Sequence, residues 1–422
     1  MSLRWVGSFL VLWIASTCEF TWADDPIAPS PVLSSSAPWD LATLEKQPAM
    51  QWVDEQAPVR SLFFEGEPLN GKPTRVFAYY ATPGTLAGDT STDVDLPAVV
   101  LVHGGGGTAF REWAELWARR GYAAIAMDLA GHRPIEGTNA HQAGNRERLA
   151  DGGPGQGDDE KFGGIDKPPG EQWPYHAVAS VIRAHSLIRS FPAVDRDRTA
   201  VTGISWGGYL TCIVAGVDHR FRAAVPVYGC GYLHENSAWL ARLNGMTPEQ
   251  RQRWVDLWDP SRYLPAVKMP ILFINGTNDF AYPLDSYMKS FNAVPANKPG
   301  DKQICVTVNM PHGHQAGWEP KEIGLFIDHH LLGKPSLPIL GDPIIDGDVI
   351  TMTWAGVNAL SAATLHFTTD GGEINQRNWQ DREATIRGAT VTVSAPPADT
   401  TAWFLTAVDD RGAVVSSVIA IP

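Results

Sequence analysis

Residues 203–207 read Gly-Ile-Ser-Trp-Gly, and the segments flanking this pentapeptide constrain the fold more than any other part of the chain. Residues 198–203 are an apolar, β-branched run typical of a buried strand, and residues 209–217 carry apolar side chains at helical spacing. A serine on a sharp strand-to-helix turn has its hydroxyl pushed out of the sheet, near helix N–H groups that favour an anion. Glycines are expected beside it because side chains there would collide with the turn. The pattern predicts a nucleophile, Ser205, on an elbow between a strand and a helix.

Strand-like and helical segments alternate on both sides of this elbow. Alternation of this kind is typical of a mostly parallel sheet that is covered by helices on both faces. The fold class predicted is therefore α/β. The predicted strands are 59–64, 74–82, 96–103, 122–129, 198–204, 221–228, 270–275 and 303–309, and the predicted helices are 110–120, 173–191, 209–217, 286–294 and 320–332.

The pattern of residue types changes after a proline-bounded linker at 335–343. Short β-rich runs separated by Asp- and Gly-rich turns fill residues 345–422, which predicts a small all-β sandwich of fibronectin-like type. We expect the α/β domain to occupy residues 51–336. Residues 229–268, between two core strands, form an insert or cap that would shape the site.

The first residues have the pattern of an export signal. A basic start, an apolar stretch too short to span a bilayer and the cleavage-like Thr-Trp-Ala at 21–23 predict a signal peptide over residues 1–23. Residues 24–50, rich in Pro, Ser and Ala, are expected to be an extended linker or arm. The mature protein would then be periplasmic or secreted, without an integral membrane segment. Lipid attachment at Cys18 is the alternative.

The formal charge of the chain is −13 at pH 7. Nucleic acids and anionic membrane surfaces both require a basic patch on the protein, so neither is expected as a partner. Removal of the signal peptide, which carries Cys18, would leave Cys212, Cys230 and Cys305, and so at least one unpaired thiol. A bridge from Cys230 to either of the other two remains open, as do three buried thiols.

An activated serine needs an imidazole to take its proton and a carboxylate to orient that imidazole. In parallel sheets with such an elbow the order along the chain is Ser, Asp or Glu, then His. Asp279 directly follows the predicted strand 270–275, where side chains converge on the elbow, and it is the expected acid. Asp285 and Glu235 are the alternatives.

Two histidines, His312 and His314, follow the last predicted strand of the sheet. We expect His314 to be the base because a Gly-His step often follows the last strand of such sheets. His312 would then support the base or face the substrate. No Cys-x-x-Cys or His-x-x-x-His spacing indicates a metal site.

A glycine run at 104–107 follows the predicted strand that ends at His103, which is expected to pack structurally. Backbone N–H groups in such a run can approach a carbonyl oxygen that becomes negative during acyl transfer. We expect the oxyanion to be held by the N–H of Trp206 and by that of Gly105 or Gly106. A phosphate-binding loop is excluded because Thr-Ala follows the run, where Lys and Ser or Thr would be required.

These motifs together resemble those of the α/β-hydrolase superfamily across about residues 50–335. Residues 103–108, 205–209 and 276–283 are similar to dienelactone hydrolases, acetyl xylan esterases and the catalytic domains of prolyl oligopeptidases. The resemblance implies ester or amide hydrolysis through an acyl-enzyme, with no cofactor. A serine replaces the cysteine of true dienelactone hydrolases. Only a short segment precedes the strand ending at His103, where the oligopeptidases carry a propeller, so a gated peptidase is not expected.

The resemblance and the predicted export favour an acetyl or other short acyl ester of a polysaccharide as substrate, or a small ester. Trp239, Tyr228 and His312 are expected to contact it. A peptidase or aryl-ester hydrolase on the same residues is one alternative. A second alternative is an adhesion protein whose β-sandwich binds carbohydrate.

Overall fold

Parallel strands that are buried on both faces form the centre of the fold. A computed structural model describes residues 37–296 and 298–421. The predicted signal peptide, the alternative lipid site at Cys18 and the first part of the predicted arm lie outside these residues. The strands are β1 (Met50–Asp54), β2 (Arg60–Glu65), β3 (Arg75–Ala81), β4 (Leu96–Val102), β5 (Ala123–Met127), β6 (His132–Pro134), β7 (Arg146–Arg148), β8 (Val194–Ile204), β9 (Ala223–Val227), β10 (Ile271–Gly276), β11 (Lys302–Thr307), β12 (Ile339–Leu340), β13 (Ile344–Asp346), β14 (Val349–Ala355), β15 (Leu360–Thr368), β16 (Gln380–Glu383), β17 (Thr385–Arg387), β18 (Thr390–Ser394), β19 (Ala402–Asp409) and β20 (Val414–Ser416).

Helices flank the sheet in the order that the alternating pattern predicts. Helix α3 packs on β5 and β4, α10 packs on β8 and β9, and α4 and α5 pack on each other and on the sheet. Because every residue of β5 and β9 is buried, both faces of the sheet are covered. The helices are α1 (Leu41–Leu44), α2 (Pro83–Ala87), α3 (Arg111–Arg119), α4 (Trp173–Ile188), α5 (Trp206–Val217), α6 (Leu240–Asn244), α7 (Pro248–Trp258), α8 (Leu284–Ala293), α9 (His314–Trp318) and α10 (Lys321–Leu332).

The main sheet has the strand order β1-β2-β3-β5-β4-β8-β9-β10-β11-β20-β19-β15-β16. The strands from β5 to β11 in this order are parallel, whereas β1, β2 and β3 pair antiparallel at one end. The predicted α/β class is therefore confirmed. The carboxyl ends of β4, β8, β10 and β11 lie along one edge of the sheet, which is where the candidate site forms.

The C-terminal strands form two antiparallel layers, as the turn-rich sequence after 345 predicts. The layer β20-β19-β15-β16 faces the layer built from β12, β13, β14, β18 and β17 across a shared apolar cluster. One feature was not expected from the sequence: β20 also pairs with β11, with Ile304 opposite Ser416. The main sheet therefore continues without a break into the C-terminal region. The division into separate domains at 336 and 345 stays a prediction.

The described part of the predicted arm, residues 37–50, is anchored to the main core. Trp39 is buried, with its ring near those of Tyr175, Trp258 and Tyr263, and its indole N–H donates to the carbonyl of Tyr175. Helix α1 follows directly, with Asp40 as its N-cap. This segment therefore leads into β1 as a fixed arm along the domain.

Candidate active site

Ser205 lies on the turn between β8 and α5. Its backbone has φ 59° and ψ −119°, a conformation that is costly for a residue with a side chain. Its N–H donates to the carbonyl of Val227 at 2.8 Å, which fixes the turn to the neighbouring strand β9. A Cβ at Gly207 would collide with the carbonyl of Val102, and one at Gly208 would lie 2.6 Å from that of Val227. Ser205 thus lies on a strand-to-helix turn where neighbouring side chains would collide with the strands, and its role as a nucleophile stays a prediction.

Asp279 follows β10, as the chain order predicts, and its side chain is almost completely buried. Its Oδ1 accepts hydrogen bonds from the backbone N–H groups of Ala281 and Tyr282, at 2.9 and 2.7 Å. These bonds fix the plane of the carboxylate and leave Oδ2 directed at a histidine. That histidine is His312, whose Nδ1 lies 2.6 Å from Oδ2.

His312 connects the acid to the serine. The hydroxyl of Ser205 lies 3.0 Å from Nε2 of His312, and the proton on Nδ1 is directed to Asp279. The expectation that His314 occupies this place is corrected by these contacts. His314 is the first residue of helix α9, and its Nε2 accepts instead from the N–H of Gly104 at 3.2 Å. The turn into α9 therefore directs the two rings to different partners.

Tyr228 was expected to contact the substrate, but it is completely buried behind His312. Its ring stacks on that of His312 with centroids 4.5 Å apart, and the single proton of its hydroxyl is shared between the carbonyls of Pro311 and Gly313 in a bifurcated hydrogen bond. Burial is also the main reason that its pKa is raised, so the phenol stays protonated. Tyr228 therefore positions the loop that carries His312 and has no open face for a substrate.

The glycine run ends close to the elbow. A Cβ at Gly105 would lie 2.9 Å from Cδ1 of the Trp206 ring, so the loop passes directly over this side chain. Gly106 has φ +64°, a conformation that favours glycine. The carbonyl of Gly107 accepts from Nη1 of Arg146 at 2.9 Å. The loop thus lies beside the N-terminus of α5, as a hole for an oxyanion requires, and the roles of individual N–H groups stay a prediction.

The amino-acid sequence and the fold of this chain were compared with those of known protein families. The model of the prolyl oligopeptidase family matches residues 170–326, and the model Acetyl xylan esterase (AXE1) matches residues 40–238. Among solved structures, an acetyl xylan esterase from Paenibacillus sp. R4 is 21% identical with a TM-score of 0.53, covering 69% of this chain and 92% of its own. The chain belongs to the α/β-hydrolase superfamily. The predicted family resemblance is confirmed at this level.

A second acetyl xylan esterase, from Thermoanaerobacterium sp., gives a TM-score of 0.51 at 18% identity, covering 72% of this chain and 95% of its own. At these identities the structural likeness establishes the fold. A curated relative, the uncharacterized peptidase YuxL of Bacillus subtilis, is 26% identical over 276 residues, or 59% of this chain. The chain spans only 36% of the length of that relative. Together the family matches support a serine hydrolase.

The insert between β9 and β10 meets the candidate site through aromatic contacts. Trp239 is half-buried, and its ring centroid lies 4.6 Å from that of Trp206 and 5.2 Å from that of Tyr282. By contrast, Trp254 and Trp258 on α7 are completely buried and serve the core. Of the tryptophans in the insert, Trp239 is thus the one whose ring reaches that of Trp206, the residue after Ser205.

Sequence reasoning missed Phe280, the residue after Asp279. Its side chain is 61% exposed, and its ring lies 5.2 Å from that of His312. A large apolar ring left exposed beside His312 is suited to contact a bound ligand. Its position directly after the predicted acid was the signal that could have identified it.

The alternative acids lie elsewhere. Asp285 is on the first turn of α8, where it accepts from Asn236 at 2.8 Å, and Glu235 pairs with Lys289.

Among the described residues, Cys212, Cys230 and Cys305 are all buried free thiols, so neither of the two disulfide pairings left open by the sequence is formed. In residues 37–296 and 298–421 we find no helix with the length and apolarity needed to cross a membrane.

Proposed function

We propose that this chain is an exported serine carboxylesterase that removes acetyl or other short acyl groups from a polysaccharide or a related ester. The observation that carries the proposal is the hydrogen-bonded series from Ser205 through His312 to the buried Asp279. These three side chains have the geometry of a nucleophile, a general base and an orienting carboxylate. Export is a further part of the proposal and depends on the pattern of residues 1–23.

In the proposed mechanism, Oγ of Ser205 forms a bond to the ester carbonyl carbon while its proton passes to Nε2 of His312. The carbonyl oxygen becomes negative and is held by the N–H groups of Trp206 and Gly105, with Gly106 as the alternative to Gly105. Collapse of this intermediate breaks the bond to the alcohol, which leaves with the proton from His312. Water, deprotonated by His312, then attacks the acyl-enzyme and releases the acid and Ser205.

Aromatic rings surround the elbow and support a carbohydrate ester as substrate. Trp206 and Trp239 place two indole rings beside the elbow, and Phe280 offers an exposed ring on the side of His312. A flat aromatic surface can stack on a sugar ring of the alcohol portion. Two solved structures with TM-scores above 0.5, those described above from Paenibacillus sp. R4 and Thermoanaerobacterium sp., are acetyl xylan esterases, and the chain covers more than nine-tenths of each.

A peptidase is the second candidate. It is favoured by the match of residues 170–326 to the prolyl oligopeptidase family and by the curated relative described as a peptidase. An aryl-ester hydrolase on the same residues would use the same chemistry. Carbohydrate adhesion by the C-terminal sandwich is compatible with either activity.

The proposal is tested by a substrate panel measured with the wild-type chain and the Ser205→Ala variant. The panel contains p-nitrophenyl acetate, butyrate and octanoate, acetylated xylan, and acylated dipeptide p-nitroanilides. We expect the highest kcat/KM on the acetate and release of acetate from xylan, both abolished in Ser205→Ala. Faster cleavage of the anilides would favour the peptidase, and full activity in Ser205→Ala would reject a serine mechanism.

A further inference from the structure

Two histidine rings hold the backbone of Gly104 from opposite sides. The N–H of Leu129 donates to Nε2 of His103 at 2.9 Å, so the proton of this ring is on Nδ1. That Nδ1 lies 2.7 Å from the carbonyl oxygen of Gly104 and donates to it. On the other side, the N–H of Gly104 donates to Nε2 of His314 at 3.2 Å. Both polar groups of this glycine are therefore bound by imidazoles.

The His314 ring is suited to act as a neutral acceptor. Burial of the ring lowers its pKa to about 3, and the nearby charges that His103, His141, Arg146 and His312 carry or can acquire act in the same direction. The ring is thus uncharged near neutral pH, with a lone pair on Nε2. This lone pair accepts the hydrogen bond from the N–H of Gly104.

The loop and the ring are shaped to fit each other. A Cβ at Gly107 would lie 2.7 Å from Nε2 of His314 and 2.6 Å from Nδ1 of His103, so the rings fill the space that a side chain would need. The turn itself is closed by a hydrogen bond from the N–H of Gly107 to the carbonyl of Gly104, at 3.1 Å. A Cβ at Gly104 would lie 3.0 Å from Cβ of Ser205. Displacement of this peptide therefore changes the geometry next to the nucleophile.

We propose that His314 is a positioning residue of the hydrolase: by accepting from the N–H of Gly104 it fixes the His103–Gly104 peptide. His103 holds the carbonyl of the following Gly104–Gly105 peptide, so the two rings together aim the Gly105 N–H at the oxygen of the reacting carbonyl. This inference rests on the proposed esterase function and adds a role outside the Ser205–His312–Asp279 series. Its physical basis is preorganisation, since an N–H group that is already aimed needs no reorganisation when charge develops. A loop with an unbound Gly104 N–H would lose part of this advantage.

A purely packing role is the competing explanation, because the His314 ring also lies 4.7 Å from that of Phe110. Three substitutions separate the two. His314→Gln keeps an acceptor at about the reach of Nε2 and loses the ring. His314→Met gives a side chain of the same length as Gln but without an effective hydrogen-bond acceptor. His314→Phe keeps an aromatic ring and removes the acceptor.

We expect His314→Met and His314→Phe to lower kcat on p-nitrophenyl acetate by about 10- to 100-fold with KM nearly unchanged, since loss of a whole oxyanion donor costs about 10²- to 10³-fold. His314→Gln should retain most of kcat. A second readout compares an acetate ester with its thiono analogue, in which sulfur replaces the carbonyl oxygen. The oxygen-to-sulfur rate ratio should fall in the Met and Phe variants and stay near the wild-type value in the Gln variant.

Equal kcat in the Gln and Met variants, or an unchanged oxygen-to-sulfur ratio in the Met variant, would overturn the proposal. Low activity in Gln and Met with full activity in Phe would show that the ring packs and does nothing more. If His314→Phe fails to fold, the Gln and Met pair, matched in length, decides the question alone. A failure of the esterase function itself is distinguishable, because the wild-type chain would then be no more active than Ser205→Ala.

Discussion

The ring of Tyr228 stacks on the ring of His312, with centroids 4.5 Å apart and 26° between the planes. The hydroxyl of the same tyrosine shares its one proton between the carbonyls of Pro311 and Gly313, at 3.1 and 3.3 Å. One side chain therefore fixes both the plane of the histidine and the backbone on either side of it. Tyr228 follows β9 with φ +45°, so the sheet itself directs this side chain to the loop.

Substitutions at Tyr228 should separate these two contacts. Tyr228→Phe keeps the stack and removes the hydroxyl, so we expect a loss of about 1 kcal/mol in the free energy of unfolding and only a small loss of kcat. Tyr228→Leu also removes the stack and should lower kcat further, by about tenfold or more, because a misplaced base transfers protons poorly. Urea unfolding and the hydrolysis of p-nitrophenyl acetate measure the two effects. Wild-type kcat in Tyr228→Leu would contradict this role.

The glycine run should tolerate a side chain poorly at Gly105. In Gly105→Ala the new Cβ would lie 2.9 Å from Cδ1 of Trp206, so the loop or the indole has to shift. We expect kcat to fall by about 10²-fold with little change in KM, since the loop supplies an oxyanion donor. Gly144→Ala is the matched control, because its Cβ meets nothing within 4 Å and its backbone φ is ordinary. Equal kcat in both variants would exclude Gly105 from the oxyanion hole.

The elbow and the acid were predictable because each depends on local order along the chain. Apolar runs of strand type end directly before Ser205 and before the turn that carries Asp279, and such ends meet at one edge of a parallel sheet. The choice between His312 and His314 was not predictable in this way. It depends on where helix α9 begins, and that start sets the direction of both rings.

The pairing of β20 with β11, which extends the main sheet into the C-terminal region, also could not be predicted from local sequence patterns. The periodicity of residues 414–416 predicts a strand, but it does not specify β11 as the partner, more than a hundred residues away. The burial of Tyr228 and the exposure of Phe280 are likewise decided by tertiary packing. Composition and spacing predict that aromatic residues line the region, and only the fold sorts them into buried and open ones.

The C-terminal strands should be required for the stability of the hydrolase fold. Phe404, Val415 and Ile419 belong to the same apolar core as the main sheet, and the N–H of Val414 donates to Glu322 at 2.7 Å. A chain that ends at Leu340 would expose this surface and the edge of β11, which promotes association between strands. We expect a lower Tm, binding of an apolar dye and aggregation in size-exclusion chromatography. A monodisperse truncated chain with the wild-type Tm would contradict this account.

Buried histidines should make stability depend on pH. Burial lowers the pKa of His185 and His330 to about 4 and that of His103 to about 3, from an ordinary value of 6.5. Between pH 6.5 and 4 the unfolded chain therefore binds more protons than the folded chain, so the free energy of unfolding falls as pH falls. Each completely buried histidine contributes on the order of 1 kcal/mol per pH unit in this window.

The His330→Leu variant isolates one such contribution. Its ring is mostly buried against Phe326, and its Nε2 has no hydrogen-bond partner. We expect the variant to lose less stability than the wild-type chain when the pH is lowered from 7 to 5. Urea unfolding at both pH values measures the difference. Identical losses in the two proteins would mean that His330 is not held in its neutral form.

The central claim is that His312, and not His314, takes the proton of Ser205. Its most direct test is kcat on p-nitrophenyl acetate for the separate variants Ser205→Ala, His312→Ala and His314→Ala. We expect His312→Ala to fall by about 10⁴-fold or more, close to Ser205→Ala, because the nucleophile and its base act as a unit. His314→Ala should retain far more activity than either. A loss in His314→Ala as large as that in Ser205→Ala, with activity kept in His312→Ala, would contradict the account.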